Sequence, residues 1–282
     1  MKSSSFYFGS TPRLFVTAYG NDKLVPHKGE IGQPAEGERR DVAPRPRAIL
    51  LAHWLPTGSW DEETDELYEG VADRLAKSCG IGVLAPRLRG VGASEGDFSI
   101  SGWCRDIASA IDYVTSALSG GDTQVEVLGV GFGIGGSCLL SVAAGDMRVR
   151  GVAVAGSPSE FANSILSREG YIKRARSAGL IRSQSFPPDP HSWRRELIAY
   201  APLHHARRLQ NRPVLLVCRE GDKLASPMEM ERLAEVIGDS CEIHTLPRSA
   251  PSLLVKSDRV ISVLEGWVKR NFDGVKKANA VV

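Results

Sequence analysis

The chain has 282 residues, of which 42% are hydrophobic and 24% charged, and its formal net charge at pH 7 is +2. This composition is typical of a soluble globular protein and excludes collagen-like and intrinsically disordered chains. Because no dominant electrostatic field exists, neither nucleic acid nor a membrane surface is expected as a partner. No apolar run reaches about 18 residues and Met1–Phe6 lacks the apolar core of a signal peptide, so we expect a cytoplasmic protein.

The five cysteines are dispersed along the chain. Their number is odd and no C-x-x-C spacing occurs, so neither a disulfide framework nor a zinc site is predicted, and no other cofactor is indicated. Cys138 lies near the start of a predicted helix, where the helix dipole lowers a thiol pKa. It follows Gly133 by five residues, however, which favours a position inside the helix packing. We therefore expect reduced thiols in the core.

The N-terminal segment is rich in aromatic and β-branched residues. Phe6–Gly9 and Leu14–Tyr19 are separated by a short polar stretch, which predicts a hairpin within residues 1–20. Residues 21–46 are rich in glycine, proline and charge and show no periodicity, which predicts an exposed loop.

Beyond residue 46, apolar runs suited to buried strands alternate with amphipathic helical patterns. Strands are predicted at 47–53, 81–86, 125–130, 149–155, 213–218 and 241–246, and helices at 63–77, 102–117, 135–144, 227–237 and 258–272. Such alternation produces right-handed β-α-β crossovers. The chain is therefore predicted to adopt an α/β fold with a doubly wound, mostly parallel sheet.

One interval, residues 157–212, interrupts this alternation. It contains short helical patterns and several prolines, and we predict a small helical cap over the carboxyl ends of the strands, where open α/β sheets bind ligands. Residues 1–156 and 213–282 then form the core domain. The interval has ten lysines and arginines against four acids, a net charge of +6. The excess either forms a solvated surface or attracts an anionic small molecule or an acidic partner.

A strand-like run, Val125–Val130, leads into glycines at alternate positions and then into a helix-like run of small residues. Alternating glycines permit the positive φ angles that a tight strand-to-helix turn needs. One interpretation is a dinucleotide loop formed by Gly131, Gly133 and Gly136, with the cofactor pyrophosphate at the helix N-terminus. The acidic residue expected about twenty positions further on is absent, because Ala155-Gly156-Ser157 lies there.

The same glycines carry a resemblance to a known family. Gly131-Phe132-Gly133-Ile134-Gly135-Gly136 resembles the nucleophile elbow G-x-S-x-G-G of the α/β-hydrolase superfamily. Gly133 occupies the position of the nucleophilic serine, and a register shifted back by two places Gly131 there. Neither glycine supplies a nucleophile.

Two further stretches extend the resemblance. His53–Gly58 is similar to the loop that supplies one oxyanion-hole amide, which implies that the backbone N–H groups of Trp54 and Ile134 are the donors. Arg87–Phe98 is similar to the R-G-x-G-x-S-x-G loop of the dienelactone-hydrolase-like and serine-aminopeptidase-like branches. In that loop, the glycines and Arg89 are expected to brace the backbone beside the elbow.

The last stretch concerns the remaining members of a catalytic triad. Val217–Pro227 resembles the G-x-x-D-x-x-V-P segment that carries the triad acid, which implies that Asp222 is that acid. The partner histidine of the family follows the next strand in a pattern like P-G-A-x-H. Here Pro247-Arg248-Ser249-Ala250-Pro251 stands in its place, so Pro251 occupies the histidine position.

Serine attack requires an imidazole that takes the hydroxyl proton, and the acid orients that imidazole. With Gly133 and Pro251 at the two other positions, we predict an α/β-hydrolase fold without ordinary serine-hydrolase activity, whose cap pocket binds a small molecule or a partner. One alternative is an atypical ester or amide hydrolase, or a cofactor-free lyase, whose base is a pocket histidine: His53, His204 or His205. Another is a structural protein with a closed, pocketless cap.

Overall fold

The structure, a computed structural model, describes residues 2–26, 45–119, 124–161, 164–167 and 170–273. Within these residues one sheet is formed by β1 (Ser3–Phe8), β2 (Leu14–Tyr19), β3 (Arg47–Ala52), β4 (Gly82–Pro86), β5 (Glu126–Phe132), β6 (Val149–Ala155), β7 (Val214–Arg219) and β8 (Cys241–Leu246). Their order is β1-β2-β4-β3-β5-β6-β7-β8. The pairs β1/β2 and β2/β4 are antiparallel and all others are parallel, so the carboxyl ends of β3 to β8 lie at one end of the sheet.

Helices cover both faces of this sheet. The helices are α1 (Glu62–Cys79), α2 (Ile100–Leu118), α3 (Gly133–Gly145), α4 (Tyr171–Ser177), α5 (Pro190–Ala199), α6 (Pro202–His205), α7 (Pro227–Ile237) and α8 (Asp258–Asp273). α1 and α8 pack on one face, and α2, α3 and α7 on the other. Alternate residues of β3 divide between the two cores, with Leu50 on the α2 side and Ile49 and Leu51 on the α1 side. Among the described helices, none is long and apolar enough to cross a membrane.

Local sequence explains where most helices begin. Asp61 caps α1 by accepting a hydrogen bond from the amide of Thr64, and Ser226 caps α7 in the same way through Glu229. Pro227 stands at the first position of α7, where its missing N–H costs nothing. By contrast, no side chain caps the N-terminus of α3. The first amides of α3 are therefore left for partners outside the helix.

The segment between β6 and β7 has two parts. Its first part, which includes α4, lies over the carboxyl ends of the strands and forms a wall of the cavity described below. Its second part packs on the helical layer. There, the amide of Ser101 in α2 donates to Glu196 of α5 (3.3 Å), and the Ser141 hydroxyl of α3 donates to the carbonyl of Tyr200 (2.7 Å). Only the first part can therefore act as a lid for a ligand.

The predicted α/β fold with a mostly parallel sheet is confirmed. Observed strand and helix boundaries lie within a few residues of the predicted ones, and β6, β8 and α7 agree at both ends. The largest differences are two residues, at one end each of α1, α2, α3 and β5. β1 and β2 form an antiparallel hairpin. Of the predicted loop at 21–46, residues 27–44, which include His27, lie outside the described residues, and Asp22–Leu24 form a short 3-10 turn.

Candidate functional site

The turn between β5 and α3 is built from glycines in close contact with their surroundings. Gly133 has a φ of +52°, in the region that favours glycine. A Cβ built on Gly133 lies 3.3 Å from the Cβ of Trp54, so a small side chain would be tight but not blocked. Gly131 and Gly136 face each other, since a Cβ on Gly131 would lie 2.6 Å from the Cα of Gly136. These two glycines therefore allow the start of α3 to pack closely against β5, a packing that a nucleophile elbow and a dinucleotide loop have in common.

A cavity of about 460 Å³, which we call the elbow cavity, opens at the carboxyl ends of β3, β5, β6 and β7. Gly133 lies in its floor, and α4 forms the opposite wall. Its polar side chains belong to Thr57, Arg174, Asp222 and Ser252. The remaining lining residues are apolar or glycine: Trp54, Leu55, Pro56, Gly133, Ile134, Ala155, Gly156, Pro158, Tyr171, Ala175, Ala178, Leu180, Leu224, Leu253 and Leu254. A mainly apolar lining with a few polar groups is typical of small-molecule sites.

Asp222 follows β7 and lines the elbow cavity. Its Oδ1 accepts hydrogen bonds from the amides of Leu224 (2.8 Å) and Ala225 (3.1 Å), which fix the carboxylate in place. Among the described residues, no hydrogen bond reaches Oδ2 and no cationic side chain lies within 4.0 Å of the carboxylate. The predicted acid is thus positioned at the cavity with one free oxygen.

Pro251, the residue at the predicted histidine position, is exposed and does not line the elbow cavity. The next residue, Ser252, does line it. None of the histidines that the structure describes contributes to the wall of this cavity. Within the described residues there is also no cluster of three or more His, Cys, Asp or Glu side chains able to hold a metal ion.

His53 is fully buried and does not face the elbow cavity, contrary to the sequence-based prediction. Its Nδ1 lies 2.7 Å from the carbonyl oxygen of Trp54, and its Nε2 lies 3.0 Å from the amide of Leu88. Because the Leu88 amide can only donate, Nε2 is the acceptor and Nδ1 carries the proton. Burial lowers the pKa of His53 to about 3, although the bond to Trp54 acts in the opposite direction. Both ring nitrogens are occupied, so His53 is not available as a base.

His53 nevertheless influences the site through the backbone. It binds the carbonyl of the Trp54–Leu55 peptide, and in a planar trans peptide the N–H of Leu55 points in the opposite direction. A Cβ built on Gly133 lies 4.0 Å from the amide nitrogen of Leu55, and no nitrogen of Trp54 is nearer. Of the two amides, that of Leu55 rather than that of Trp54, the expected donor, therefore lies on the side of Gly133. Ile134, the second expected donor, lines the cavity directly after Gly133.

A buried neutral histidine should make stability depend on pH. The pKa of His53 is lower in the folded chain than the ordinary value of 6.5, so the unfolded chain binds more protons below about pH 6.5. Stability is then present above pH 6.5 and is lost as the pH falls towards 3, by up to about 1.4 kcal/mol per pH unit for one proton. Urea unfolding at pH 7.5, 6.5, 5.5 and 5.0 measures this slope.

The variant His53→Asn should flatten the slope, whereas replacing the exposed His191 by asparagine should leave it unchanged. An identical slope in native chain and His53→Asn would show that His53 is not the group being titrated.

His204 and His205 also lie outside the elbow cavity, so the prediction that they face the pocket is wrong. The Nδ1 of His204 lies 3.0 Å from the carbonyl oxygen of Ile198, and the Nε2 of His205 lies 2.7 Å from that of Ala199. Both carbonyls belong to the last turn of α5, where intrahelical donors run out. The carbonyl of Ile198 also accepts from the amide of Ala201 at 3.2 Å, so the two histidines supplement the backbone bonds at this helix end.

The loop 87–98 is held by two arginines with different surroundings. Arg89 donates to the buried carboxylate of Asp106 through Nε and Nη2, the latter at 2.6 Å, which is the bracing role expected for it. Arg87 is fully buried and donates to Asp65 and Glu69 at 2.6–2.9 Å. Neither arginine lines the elbow cavity. The Arg87 cluster was not predicted, since its acids lie on a helix 18 to 22 residues earlier in the chain.

Two other side chains of α3 are part of the packing. Cys138 is fully buried, and burial raises the pKa of its thiol well above the usual value, so a thiolate nucleophile is not favoured there. The hydroxyl of Ser137 donates to the carbonyl of Pro158 at 2.6 Å. This bond joins α3 to the segment after β6.

The geometry of sheet, turn and cavity agrees with a family match, since residues 49–273 match the alpha/beta hydrolase family. The chain belongs to the α/β-hydrolase family. No curated protein is detectably similar to this chain in sequence.

Solved structures of other α/β hydrolases share its fold at low sequence identity. Alpha/beta hydrolase GrgF from Penicillium sp. sh18 is 14% identical with a TM-score of 0.64, and the alignment covers 97% of this chain and 100% of that protein. The esterase domain of a Rhodothermus marinus protein is 18% identical with a TM-score of 0.61, covering 96% and 99%. Mouse alpha/beta hydrolase domain-containing protein 10 is 14% identical with a TM-score of 0.61, covering 96% and 99%. At these identities the likeness establishes the fold alone.

Proposed function

We propose that this α/β-hydrolase-family chain binds a small, mainly apolar molecule in the elbow cavity and does not perform ordinary serine-dependent hydrolysis. The observation that carries the proposal is the cavity itself: its floor at the elbow is Gly133, and none of the described histidines lines its walls. A hydroxyl nucleophile and an imidazole base are the two groups that serine catalysis requires. The cavity retains the acid, Asp222, and the two backbone amides that would face a carbonyl oxygen.

The charges around the cavity favour an apolar ligand over an anionic one. Of the basic residues between β6 and β7 that the structure describes, only Arg174 lines the elbow cavity, and Asp222 faces the same space. The other described basic residues of that segment lie outside the cavity, most of them exposed and Arg212 buried. An atypical hydrolase or lyase with His53 or His204 as its base is not supported, because neither histidine lines the cavity. The cavity volume of about 460 Å³ argues against the other alternative, a purely structural protein with a closed cap.

The native chain is expected to hydrolyse p-nitrophenyl butyrate no faster than buffer and to resist labelling by a fluorophosphonate probe. A Gly133→Ser/Ser252→His variant should gain activity, because residue 252 lines the same cavity as Asp222. General-base assistance contributes roughly 10²–10⁴-fold, and we expect at least about tenfold from an unrefined site. Initial rates by absorbance at saturating ester, with active-site labelling followed by mass spectrometry, measure both effects.

The matched control is Gly133→Ser/Pro251→His, which places the imidazole one residue earlier, on an exposed position outside the cavity. It should be less active than the Ser252→His combination. Turnover by the native chain above the buffer rate, or labelling of any cavity residue, would refute the proposal.

A further inference from the structure

Asp222 offers a ligand something that the apolar walls do not. Its Oδ1 is held by two backbone amides, whereas among the described residues its Oδ2 has no hydrogen-bond partner and no cation lies within 4.0 Å. Leu224, Leu253 and Leu254 line the same cavity. A carboxylate beside apolar walls attracts a positive charge more strongly than one in bulk water, because the local dielectric is lower. The cavity thus has a fixed, unsatisfied acceptor.

Arg174 is the other charged residue of the elbow cavity, and it competes poorly for a ligand. It lies on α4, a helix of seven residues, and its side chain is exposed to solvent. Water and salt screen an exposed charge, and holding a long arginine side chain in one geometry costs conformational entropy. Arg174 and Asp222 form no ion pair with each other within 4.0 Å. Asp222 is therefore the better preorganised of the two charges.

The described residues that line the cavity and its neighbouring depression carry no net positive charge. This depression, which shares Trp54, Pro56, Thr57 and Leu253 with the elbow cavity, is lined by Asp61 and Glu63 against a single lysine, Lys256. Across both depressions the acids outnumber the bases by one. The Arg248 guanidinium packs on Gly221 but lines neither depression.

We propose that the ligand of the elbow cavity is an apolar molecule that bears a cationic nitrogen, and that this nitrogen donates a hydrogen bond to Asp222 Oδ2. The ligand is an alkyl- or arylalkyl-ammonium compound, with its apolar body against the leucines of the cavity and Trp54. Charge-assisted hydrogen bonds of this type are stronger than neutral ones. The inference rests on the proposed function, since it specifies the ligand class of the same cavity.

The test compares three probes with the same apolar body: 4-phenylbutylamine, 4-phenylbutanol and 4-phenylbutanoate. Isothermal titration calorimetry with the native chain at pH 7 gives a dissociation constant for each. We expect the amine to bind about tenfold tighter than the alcohol, from one charge-assisted hydrogen bond. The carboxylate should bind more weakly than the alcohol.

Three variants locate the effect. Asp222→Asn keeps an oxygen that can accept from the two backbone amides. It should reduce the affinity for the amine to the level of the alcohol and leave the affinity for the alcohol unchanged. Arg174→Gln removes the positive charge of the cavity and should therefore tighten the amine, by no more than about twofold because that charge is exposed. Ala178→Phe, which replaces a lining residue by a larger one and so fills part of the cavity, should weaken the binding of all three probes.

The outcomes separate the two proposals. If Ala178→Phe weakens binding of the alcohol but the native chain binds the amine no tighter than the alcohol, the inference about the cationic nitrogen is wrong. The proposed binding of an apolar molecule then stands. Tightest binding of the carboxylate, lost in Arg174→Gln, also overturns the inference and favours an anionic ligand. If none of the probes binds the native chain, both the inference and the proposed binding function are overturned.

Discussion

Replacement of Gly135 by alanine is expected to prevent folding. A Cβ on this residue would lie 3.0 Å from the carbonyl carbon of His53 and closer still to its oxygen. The His53 atoms belong to the backbone directly after β3, and the added Cβ is attached directly to the backbone in the first turn of α3. Neither side of the contact can therefore rotate away. Relief requires α3 to move off the sheet, which we expect to cost more than about 4 kcal/mol. Soluble yield, circular dichroism and urea unfolding measure the loss.

Gly145→Ala is the matched control, because Gly145 lies at the other end of the same helix and a Cβ there meets no atom within 4 Å. Alanine is the better helix former and should stabilise the chain by about 0.5–1 kcal/mol. A Gly135→Ala variant that unfolds at the native urea midpoint would show that the turn is more adaptable than its contacts indicate.

The contact at Gly135 matters for the site as well as for stability. It brings the start of α3 against the loop after β3, and this approach sets the Leu55 amide 4.0 Å from a Cβ built on Gly133. The glycines around the elbow thus have separate roles. Gly133 adopts the positive φ of the turn, while Gly135 and Gly136 make room for the backbone of His53 and for the side chain of Ser157. Only the first role is visible in the sequence pattern.

The fold was predictable because its signals are local. β3 is a continuous apolar run after Arg47, as a strand buried on both faces requires, and α7 begins at a serine followed by proline. The exact helix ends were less predictable. α2 extends beyond its predicted bounds to the buried apolar residues Ile100 and Leu118, and α3 begins two residues before its predicted start, at the turn residue Gly133 itself.

The roles of the site residues were less predictable because they depend on contacts between distant parts of the chain. A histidine in a sequence has two free nitrogens, but those of His53 are occupied by Trp54 and by Leu88, a residue 35 positions later. His204 and His205 are occupied by the end of α5. The sequence places all three near a pocket by analogy, and only the hydrogen bonds decide that none reaches it.

The charge of the site also could not be predicted by counting charged residues along the sequence. The ten basic residues of the interval 157–212, when they are counted along the chain, allow either a solvated surface or an anionic ligand or acidic partner. In the structure, Arg212 donates to the carbonyls of Ala143 and Val149, and Arg182 donates to those of Gly92 and Ser94. These arginines stabilise loops and helix ends. The charge that a ligand meets in the cavity is instead set by Arg174 and Asp222.

Arg87→Met is expected to cause the second large loss of stability. Arg87 is fully buried and donates to Asp65 (2.8 and 2.9 Å), Glu69 (2.6 Å) and Thr17 (2.8 Å). Its guanidinium also lies 5.4 Å from the ring centre of Tyr68. Breaking a buried ion pair leaves carboxylates without a partner and costs about 3–5 kcal/mol. Because Asp65 and Glu69 remain about one-third exposed, we expect the lower end of that range. Urea unfolding at pH 7 gives the difference.

Arg13→Met is the control, since Arg13 pairs with Glu95 on the surface and exposed ion pairs contribute little. Its unfolding midpoint should stay close to the native one. Acid titration adds a second criterion. Burial alone would raise the pKa of Asp65, but hydrogen bonds from Arg87 and Trp60 outweigh it and hold that pKa below its usual value.

The ion pair of Arg87 with Asp65 therefore contributes its full stability above about pH 4, the pKa of an aspartate in the unfolded chain. This stability is lost as the pH falls through the lower pKa that Asp65 has in the folded chain. Arg87→Met should lack this loss, because the depressed pKa of Asp65 depends on the arginine. If the variant unfolds like the native chain at pH 7 and loses stability equally in acid, the Arg87 cluster contributes nothing beyond what water would supply. The loop between β4 and α2 would then be held by its other contacts, among them Arg89 with Asp106 and Arg182 with the carbonyls of Gly92 and Ser94.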